Sequence, residues 1–470
     1  MDDRDPQSPD ERPAGRKPTT LLESAAIERA IGRAWTDDRP WNLLTNLTEL
    51  PTRMGGSPGE RRAAEFVRDA LADIGLENTR IDEFGMRYWK RGSSSLAVDT
   101  EGPSGERAFE TVALPYSPAG ELAGPLVDVG YGTPAEIEAA DLEGAIAVAS
   151  TTTPGSQRFV HRMEKYGHAV EAGAAGFVFA NHVPGQLPPT GALRFDGEAE
   201  IPAVGVSAET GDWLGEYAGR DRDARLRVDA ETTAGTSQNV RGTFGPATDE
   251  TVLVLAHYDA HDTGEGALDN GCGIATVVGA TAMLAAIADE LDCQVRIAGV
   301  GCEEIGLLGA EALADDLHPV PASIRAVVNV DGAGRFRDLQ AFSHGSGELE
   351  DLADAVATDA GQPIVHEPDP HPFSDHWPFL RAGVPALQLH SEPPAGGERG
   401  RGWGHTAADT RDKVDPRTLR EHAILTALLV RELTTTEIAR IDETELRERL
   451  EAQAYEPGMR AASIWPTGWE

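Results

Sequence analysis

The sequence predicts an α/β protein, in which a three-layer domain with a mostly parallel central sheet flanked by helices is interrupted by a small β-rich insert. Over the second half of the chain, continuous apolar runs that fit buried strands alternate with apolar helical segments. That alternation is typical of a largely parallel sheet. Between residues 96 and 234, short apolar runs alternate instead with Gly, Pro and Asp turns. This second pattern predicts a separate unit.

The N-terminal region is predicted to start as a tail and to continue as helices. Residues 1–20 are rich in Pro, Asp and Arg, which predicts a disordered acidic tail. Residues 21–95 form the first part of the larger domain. Within them, residues 61–76 place apolar side chains at helical spacing. Ser57 and Gly75 are typical residues at the start and the stop of such a helix.

The rest of the chain supplies the remaining elements. The insert, residues 96–234, contains a helical segment and the strand-like runs GPLVDVGYG, GAIAVAS, GFVFAN and IPAVGVS. Residues 235–437 form the main part of the larger domain. Its predicted strands lie within 251–259, 294–304, 326–334 and 385–391, and residues 271–288 form a strongly apolar helix. Residues 438–470 begin as a charged helix and end in an aromatic segment that the pattern leaves unassigned.

The charge balance argues against several classes of function. Of 470 residues, 78 are acidic and 41 basic, which gives a formal net charge of −37. Such a chain repels the phosphates of nucleic acids and of anionic membranes. Only four basic residues are lysine, and an acid-rich, lysine-poor composition is typical of salt-loving organisms, in which high salt screens the self-repulsion. An ordinary acidic protein from a GC-rich genome is the alternative.

The cysteines and the N-terminus bear on cellular location. Cys272, Cys293 and Cys302 cannot form a disulfide framework, and no C-x-x-C pair suggests a thiolate zinc site. We interpret Cys302 as a packing residue rather than a nucleophile. The N-terminus has no apolar core of a signal peptide, and no uncharged run of 18 apolar residues predicts a membrane span. These observations predict a cytoplasmic protein.

Five segments end in residues that can bind metal. His257 ends an apolar run, and Asp259 follows two residues later. Side chains two positions apart on an extended segment lie on one face. Asp259 can therefore accept the second ring N–H of His257 and support it as a ligand. The other segments contribute Asp269 before the apolar helix, the pair Glu303 and Glu304 after the second strand, Asp331 after the third, and His405 in a late loop.

Together these residues predict a two-metal centre. In an α/β sheet, ligands bind outside the carboxyl ends of the strands. His, Asp and Glu suit zinc, manganese or cobalt, and a bridging carboxylate with two ligands for each ion is the stoichiometry of a two-metal site. Each motif alone has an ordinary explanation: a buried structural histidine, a solvated acidic pair or a turn-capping Asp. Their joint occurrence at strand ends carries the prediction.

These motifs resemble the di-zinc exopeptidases of peptidase family M28, which include aminopeptidase Y, leucyl aminopeptidases and glutamate carboxypeptidases. The similarity runs through HYD, GALDN, GCEEIGLLGA, NVDG, SDHWPFLRAGVPAL and GHTAADTRDKVD. It covers about residues 21–437 and implies two divalent ions, zinc first among them. The implied ligands are His257 and Asp331 for one ion, Glu304 and His405 for the other, and Asp269 bridging both.

The resemblance also implies the catalytic groups. Glu303 would be the general base, taking a proton from the attacking water and passing it to the leaving amine, with Asp259 supporting the site. Asp375 and His376 fall in the SDH motif and would line the substrate pocket, unless they only form a turn. His261 and Asp262 lie nearby in sequence but are not assigned as ligands. Gly404 stands where some members carry an oxyanion-stabilising Tyr.

The insert resembles the protease-associated domain that many members of the family carry. The matching pieces are GAIAVAS, the helix ending in EAGAAGFVFAN, and IPAVGVS. Such a domain would shape access to the site or contact substrate, or it would be a passive lid.

The implied function is a metal-dependent exopeptidase acting on peptides, first of all an aminopeptidase. A carboxypeptidase or dipeptidase of the same family, a non-catalytic receptor-like relative and a glutaminyl-cyclase-like enzyme are the alternatives. We expect no nucleic-acid or membrane partner, and the sequence leaves a homo-oligomer open.

Overall fold

The computed structural model describes residues 24–100, 105–155, 158–317, 323–392 and 403–469. The predicted tail, residues 1–20, lies outside these ranges. The helices are α1 (Ala25–Ala34), α2 (Arg39–Thr48), α3 (Pro58–Ile74), α4 (Pro134–Glu138), α5 (Arg162–Glu171), α6 (Ala208–Ala218), α7 (Cys272–Ala285), α8 (Leu308–Leu317), α9 (Gly347–Ala360), α10 (Trp377–Leu380), α11 (Pro416–Thr435), α12 (Glu443–Ala452) and α13 (Glu456–Ala461). The strands are β1 (Glu77–Asp99), β2 (Glu106–Phe109), β3 (Val112–Ala113), β4 (Gly120–Asp128), β5 (Ile146–Ser150), β6 (Gly176–Ala180), β7 (Ala203–Val206), β8 (Asp223–Phe244), β9 (Thr251–His257), β10 (Gln294–Val300), β11 (Ile324–Val330), β12 (Asp338–Phe342), β13 (Ile364–Glu367) and β14 (Ala386–Glu392).

The strands form one continuous sheet, and its centre fixes where the site lies. The order is β13-β12-β14-β11-β9-β10-β8-β4-β5-β6-β7-β3, with β1 paired to β8 and β2 paired to β1. The neighbours β14, β11, β9 and β10 are parallel. Their carboxyl ends therefore meet at one edge, where a parallel sheet binds its ligands. The predicted α/β fold with a flanked, mostly parallel central sheet is confirmed.

Alternating side chains of the central strands build the layers on both faces. On β9, Val252 and Val254 share a core with residues of α7 and α11. Leu253 and Leu255 point to the opposite face and share a core with residues of α8 and α10. This is the period-two alternation of a strand that is buried on both sides.

Helix α7 lies at the centre of one layer. A helix that is apolar all round must be buried, and α7 packs against α1, α2, α3, α11 and β9. Within the described ranges, residues 267–285 are the one helical stretch long and apolar enough to cross a membrane, and 89% of that window is buried inside the fold. Its apolar surface is thus used by the core.

A long antiparallel ribbon joins the insert to the larger domain. Strands β1 and β8 pair from Glu77 opposite Thr243 to Val98 opposite Ala224. At one end β8 pairs with β10 of the larger domain, and at the other it pairs with β4 of the insert. The predicted domain boundaries near residues 95 and 234 fall inside these two strands, and the boundaries themselves stay predictions.

Local signals placed several elements well. Ser57 accepts a hydrogen bond from the Glu60 amide at the start of α3, and Gly75 ends that helix at φ 95°. The aromatic C-terminal segment, which the pattern left unassigned, packs on α10. The Trp377 indole donates to the Ile464 carbonyl at 3.1 Å, and its ring meets that of Trp469 edge-on.

Candidate active site

The predicted ligands converge at the carboxyl edge of the central strands. His257 is the last residue of β9, Asp331 directly follows β11, and Glu304 lies just beyond β10. Asp269 lies in the irregular turn Ala267–Gly271 before α7. This turn needs Gly266, because its φ is +60° and an added Cβ would lie 2.2 Å from that of Ala260.

Asp269 faces two groups of donor atoms with its two oxygens. Its Oδ1 lies 3.5 Å from His257 Nε2, which is also 3.8 Å from Asp331 Oδ1. Its Oδ2 lies 3.2 Å from His405 Nε2, which is also 3.0 Å from Glu304 Oε2. We call His257, Asp269 and Asp331 the first pocket. Glu304 and His405, together with Asp269, form the second pocket.

The chemistry of these residues fits two divalent cations. Imidazole and carboxylate donors are the ligands that zinc takes in catalytic sites. Buried polar atoms are normally hydrogen-bonded, yet among the described residues His257 Nε2 and Glu304 Oε1 have no hydrogen-bond partner. His257 belongs to the group His257, Asp269 and Asp331, and Glu304 to the group His261, Glu304 and His405; within each group the possible ligand atoms lie within 4.8 Å of one another. A cation in each pocket would satisfy them.

The electrostatics also favour cations. Burial alone would lower the pKa of His257, but Glu303 and the neighbouring carboxylates outweigh burial and raise the pKa well above its ordinary value. Burial raises the pKa of Glu304, but His261 and His405 overcome that effect and hold it well below its usual range. The site therefore combines anionic carboxylates with a histidine that gains a positive charge when no other cation is present.

Glu303 lies beside both pockets without belonging to either donor group. Burial raises the pKa of its carboxyl well above the ordinary value, and Glu304 and Asp375 add to the shift against the opposing effect of His257. Asp259 supports this residue pair through the backbone, since its carboxylate accepts the amide of Glu303 at 3.0 Å and that of Glu304 at 3.3 Å.

Asp259 also lies against the first pocket, as the H-x-D spacing suggested. Its Oδ1 is 3.4 Å from Nδ1 of His257, and its backbone carbonyl is 3.3 Å from the same nitrogen. One buried carboxylate thus orients a histidine donor and the adjacent Glu pair together. The H-x-D spacing in the sequence predicted the contact of Asp259 with His257, but not its contacts with the amides of Glu303 and Glu304.

Asp375 and His376 lie below the first pocket. Both oxygens of Asp375 are buried without a hydrogen-bond partner among the described residues, and burial raises its pKa well above the usual range. His376 is engaged within the protein: Nε2 contacts the His371 carbonyl at 2.8 Å, and Asn329 contacts Nδ1 at 3.3 Å. Burial lowers the pKa of His376 to about 3. A substrate-binding role for this pair stays a prediction.

The insert reaches the second pocket directly. The Thr190 amide donates to the His405 carbonyl at 2.8 Å, and the Thr190 carbonyl lies 3.3 Å from His405 Nδ1. This contact leaves Nε2 facing the pocket. Arg91 holds the same segment in place, because its guanidinium donates to Thr190 Oγ1 at 3.3 Å and to Asp262 at 2.6 Å.

The sequence left His261 out of this centre, and it placed Asp409 as a structural residue of the His405 loop without indicating which amides it binds. His261, which was not assigned as a ligand, lies with Nε2 3.0 Å from Glu304 Oε2. Its signal was a second histidine four positions after His257 in the same loop. Asp409 accepts the amides of Leu268 at 2.7 Å and Asp269 at 3.1 Å, so it fixes the turn that carries the shared carboxylate. Nothing in the local sequence indicates that contact.

Cys302 behaves as expected of a packing residue. It is fully buried and free of any disulfide. Burial, reinforced by Glu60, raises the pKa of its thiol well above the ordinary value, and a protonated buried thiol is a poor nucleophile.

The chain is similar to known peptidases in sequence and in fold. Residues 239–430 match the model of peptidase family M28, and residues 122–214 match that of the PA domain. Aminopeptidase YwaD of Bacillus subtilis (strain 168) is 25% identical over 423 residues, 84% of this chain and 85% of the relative. Carboxypeptidase Q of Mus musculus is 23% identical over 393 residues, 80% of this chain and 81% of that protein. The structure of the aminopeptidase from Aneurinibacillus sp. strain AM-1 superposes with a TM-score of 0.66 at 25% identity, covering 89% of this chain and 97% of the other.

Proposed function

Because the chain belongs to peptidase family M28 and carries a PA domain inserted ahead of the matched segment, we propose that it is a metallo-exopeptidase that removes N-terminal residues from peptides. One observation carries this proposal: the two oxygens of Asp269 face two donor pockets, beside a carboxyl of raised pKa that is outside both. The similar aminopeptidases support the choice of substrate end.

In the proposed mechanism, two bound divalent ions, for which zinc is the first choice, would acidify the attacking water and stabilise a tetrahedral oxyanion. His257, Asp331, Glu304 and His405 would hold these ions, together with Asp269, which both pockets share. Glu303 takes the proton of the water at its carboxylate and returns it to the leaving amine. Asp259 keeps the backbone of Glu303 in place.

The sharpest test is Glu303→Ala, with Glu216→Ala as the control on an exposed position of helix α6. We expect both proteins to retain two metal ions. Turnover of an unblocked peptide should fall at least about 100-fold in Glu303→Ala, the lower end of general acid–base contributions. Wild-type turnover in a metal-loaded Glu303→Ala protein would contradict the mechanism.

A carboxypeptidase or dipeptidase is the second candidate, which the similarity to carboxypeptidase Q favours. Peptides blocked at the amine and peptides blocked at the carboxyl distinguish the two. An aminopeptidase cleaves only the second kind, and a carboxypeptidase only the first. Cyclisation of a glutaminyl peptide would reveal the cyclase alternative, and a purified protein without bound metal would favour a receptor-like relative.

We propose also that the protein works in concentrated salt in the cytoplasm, on peptides rather than with nucleic acids or membranes, with a homo-oligomer left open. The net charge of −37 and the low lysine content support this environment. The three buried free cysteines fit a reducing compartment. Activity and the folded fraction of the protein should both be higher in molar KCl than in dilute buffer. Equal values in the two solutions would contradict the salt proposal and leave the peptidase proposal intact.

A further inference from the structure

His261 lies in the second pocket but has no role in the mechanism given above. Its Nε2 is 3.0 Å from Glu304 Oε2, the same oxygen that His405 approaches at 3.0 Å. The rings of His261 and His405 meet edge-on with centroids 4.5 Å apart. Two imidazoles therefore converge on one carboxylate oxygen from different directions.

The surroundings of the His261 ring favour binding of an ion. The residue is 5% exposed, and its Nε2 lies 3.0 Å from Glu304 Oε2 without forming a well-aligned hydrogen bond, while its Nδ1 has no hydrogen-bond partner among the described residues. A buried imidazole that is so poorly hydrogen-bonded is costly. A cavity of about 10 Å³ adjoins it, lined by His261, Asp269, Glu304, His405 and the surrounding loops. That volume is about the size that one water molecule or one ion occupies.

Three of the distances between these donors are close to those of a tetrahedral shell. Zinc binds nitrogen and oxygen at about 2.0–2.2 Å, so neighbouring ligands of a tetrahedral ion lie about 3.3 Å apart. The pairs His261–Glu304, His405–Glu304 and His405–Asp269 are separated by 3.0, 3.0 and 3.2 Å. The spacing around Glu304 is therefore the same on the His261 side as on the His405 side.

We propose that His261 is an additional protein ligand of the second pocket, which then offers four donors where the first offers three. The inference rests on the proposed function, because it needs a metal centre. A shell of four protein ligands is typical of tightly held ions, whereas a shell of three leaves a position open for chemistry. The second pocket is thus the anchoring half of the centre, and the first pocket is the half that stays open beside Glu303.

The test measures metal binding rather than activity. The metal-free full chain is titrated with Co²⁺ and with Zn²⁺ against a competing chelator. Wild type should bind two ions, one much more tightly than the other. In His261→Ala the tight ion should bind more than about 100-fold more weakly, beyond the 10- to 100-fold that loss of a supporting partner costs. The visible spectrum of its Co²⁺ form should change, because the coordination shell loses a nitrogen.

Two further variants keep the result interpretable. His366→Ala, at a histidine paired with Asp354 away from the pocket, should bind both ions like wild type. His261→Asp offers an oxygen donor in the same place and should regain part of the lost affinity; it also serves if the alanine variant does not fold. Wild-type affinities and spectra in His261→Ala would overturn the inference and leave the peptidase proposal standing. A wild-type protein that binds neither ion would overturn the proposed function itself.

Discussion

The first pocket and the second pocket are built in different ways. His257 and Asp331 of the first pocket stand at the ends of adjacent parallel strands, β9 and β11, inside the central sheet. In the second pocket, His261 and His405 lie in loops, and the insert supplies the Thr190 backbone that contacts His405. Apart from the shared Asp269, the first pocket therefore depends on the sheet, and the second pocket depends on three distant segments of the chain meeting.

This difference shows which metal-binding side chains are positioned by the sheet and which are positioned by the packing of loops. Strand ends in a parallel sheet are fixed by the backbone ladder, so the first pocket needs little outside help. A loop donor has to be oriented by hydrogen bonds from whatever packs on it. Changes in the insert should therefore alter the second pocket and spare the first.

The largest expected effect comes from the residue that both pockets share. Asp269→Ala removes a donor from each, which leaves two donors in the first pocket and three in the second, so the metal content should fall from two ions to at most one weakly held ion. Activity should drop roughly 1000-fold or more, because metal stabilisation of the transition state is worth several kcal/mol. Metal analysis after gel filtration checks this, with the exposed Asp289→Ala as the control. Retention of one tightly bound ion would show that the pockets are more independent than their geometry indicates.

A smaller effect should follow from loosening the insert. Arg91→Ala removes the guanidinium that ties Thr190 and Asp262 together. The ion in the second pocket should then bind roughly 10-fold more weakly, the lower range for lost supporting contacts. Binding of the ion in the first pocket should be unaffected. The exposed Arg225→Ala on β8 is the matched control. Equal weakening of both ions would contradict the division between the pockets.

The smallest effect concerns a brace behind the first pocket. His422 on α11 accepts the Gly334 amide at 3.0 Å and contacts the Arg337 carbonyl at 2.9 Å, which holds the segment after Asp331. Burial lowers the pKa of His422 to about 4 from 6.5. Below pH 6.5 the unfolded chain therefore binds a proton at His422 that the folded protein does not bind. The contribution of His422 to the free energy of unfolding is fully present above pH 6.5. It decreases by about 3 kcal/mol as the pH falls toward 4.

Thermal unfolding measured from pH 7 to 4.5 tests this brace. His422→Gln keeps an acceptor and a donor but does not titrate, so its stability should fall less steeply with acid than that of wild type. His182→Gln, at an exposed site of the insert, should keep the wild-type slope. Parallel slopes for His422→Gln and wild type would mean that other groups carry the acid sensitivity.

The same contrast explains what could be predicted from the sequence. Apolar runs in the sequence predict buried strands, so the positions of His257 and Asp331 at strand ends follow from the pattern. Helix α3 follows from its apolar spacing and from Ser57 and Gly75. Contacts between distant segments leave no such trace. The meeting of Thr190 with His405 and the orientation of His261 depend on how loops pack, which hydrophobic periodicity does not encode.

The aromatic end of the chain is a second example. Trp465 and Trp469 pack against each other, and Trp469 also packs on Trp377, yet Pro466 and Gly468 between them leave no regular element to predict. Their partner is α10, which lies far away in sequence. Burial of such side chains is decided by the tertiary surface that receives them.

The paired strands β1 and β8 have a mechanical consequence. Hydrogen bonds run from the larger domain into the insert along nearly the whole length of both strands, and bending such a twisted ribbon means breaking rungs. The insert is therefore joined to the larger domain by a hydrogen-bonded pair of strands, rather than by a single-chain linker. Because Thr190 of the insert contacts His405, this coupling also keeps the segment that orients that histidine in place.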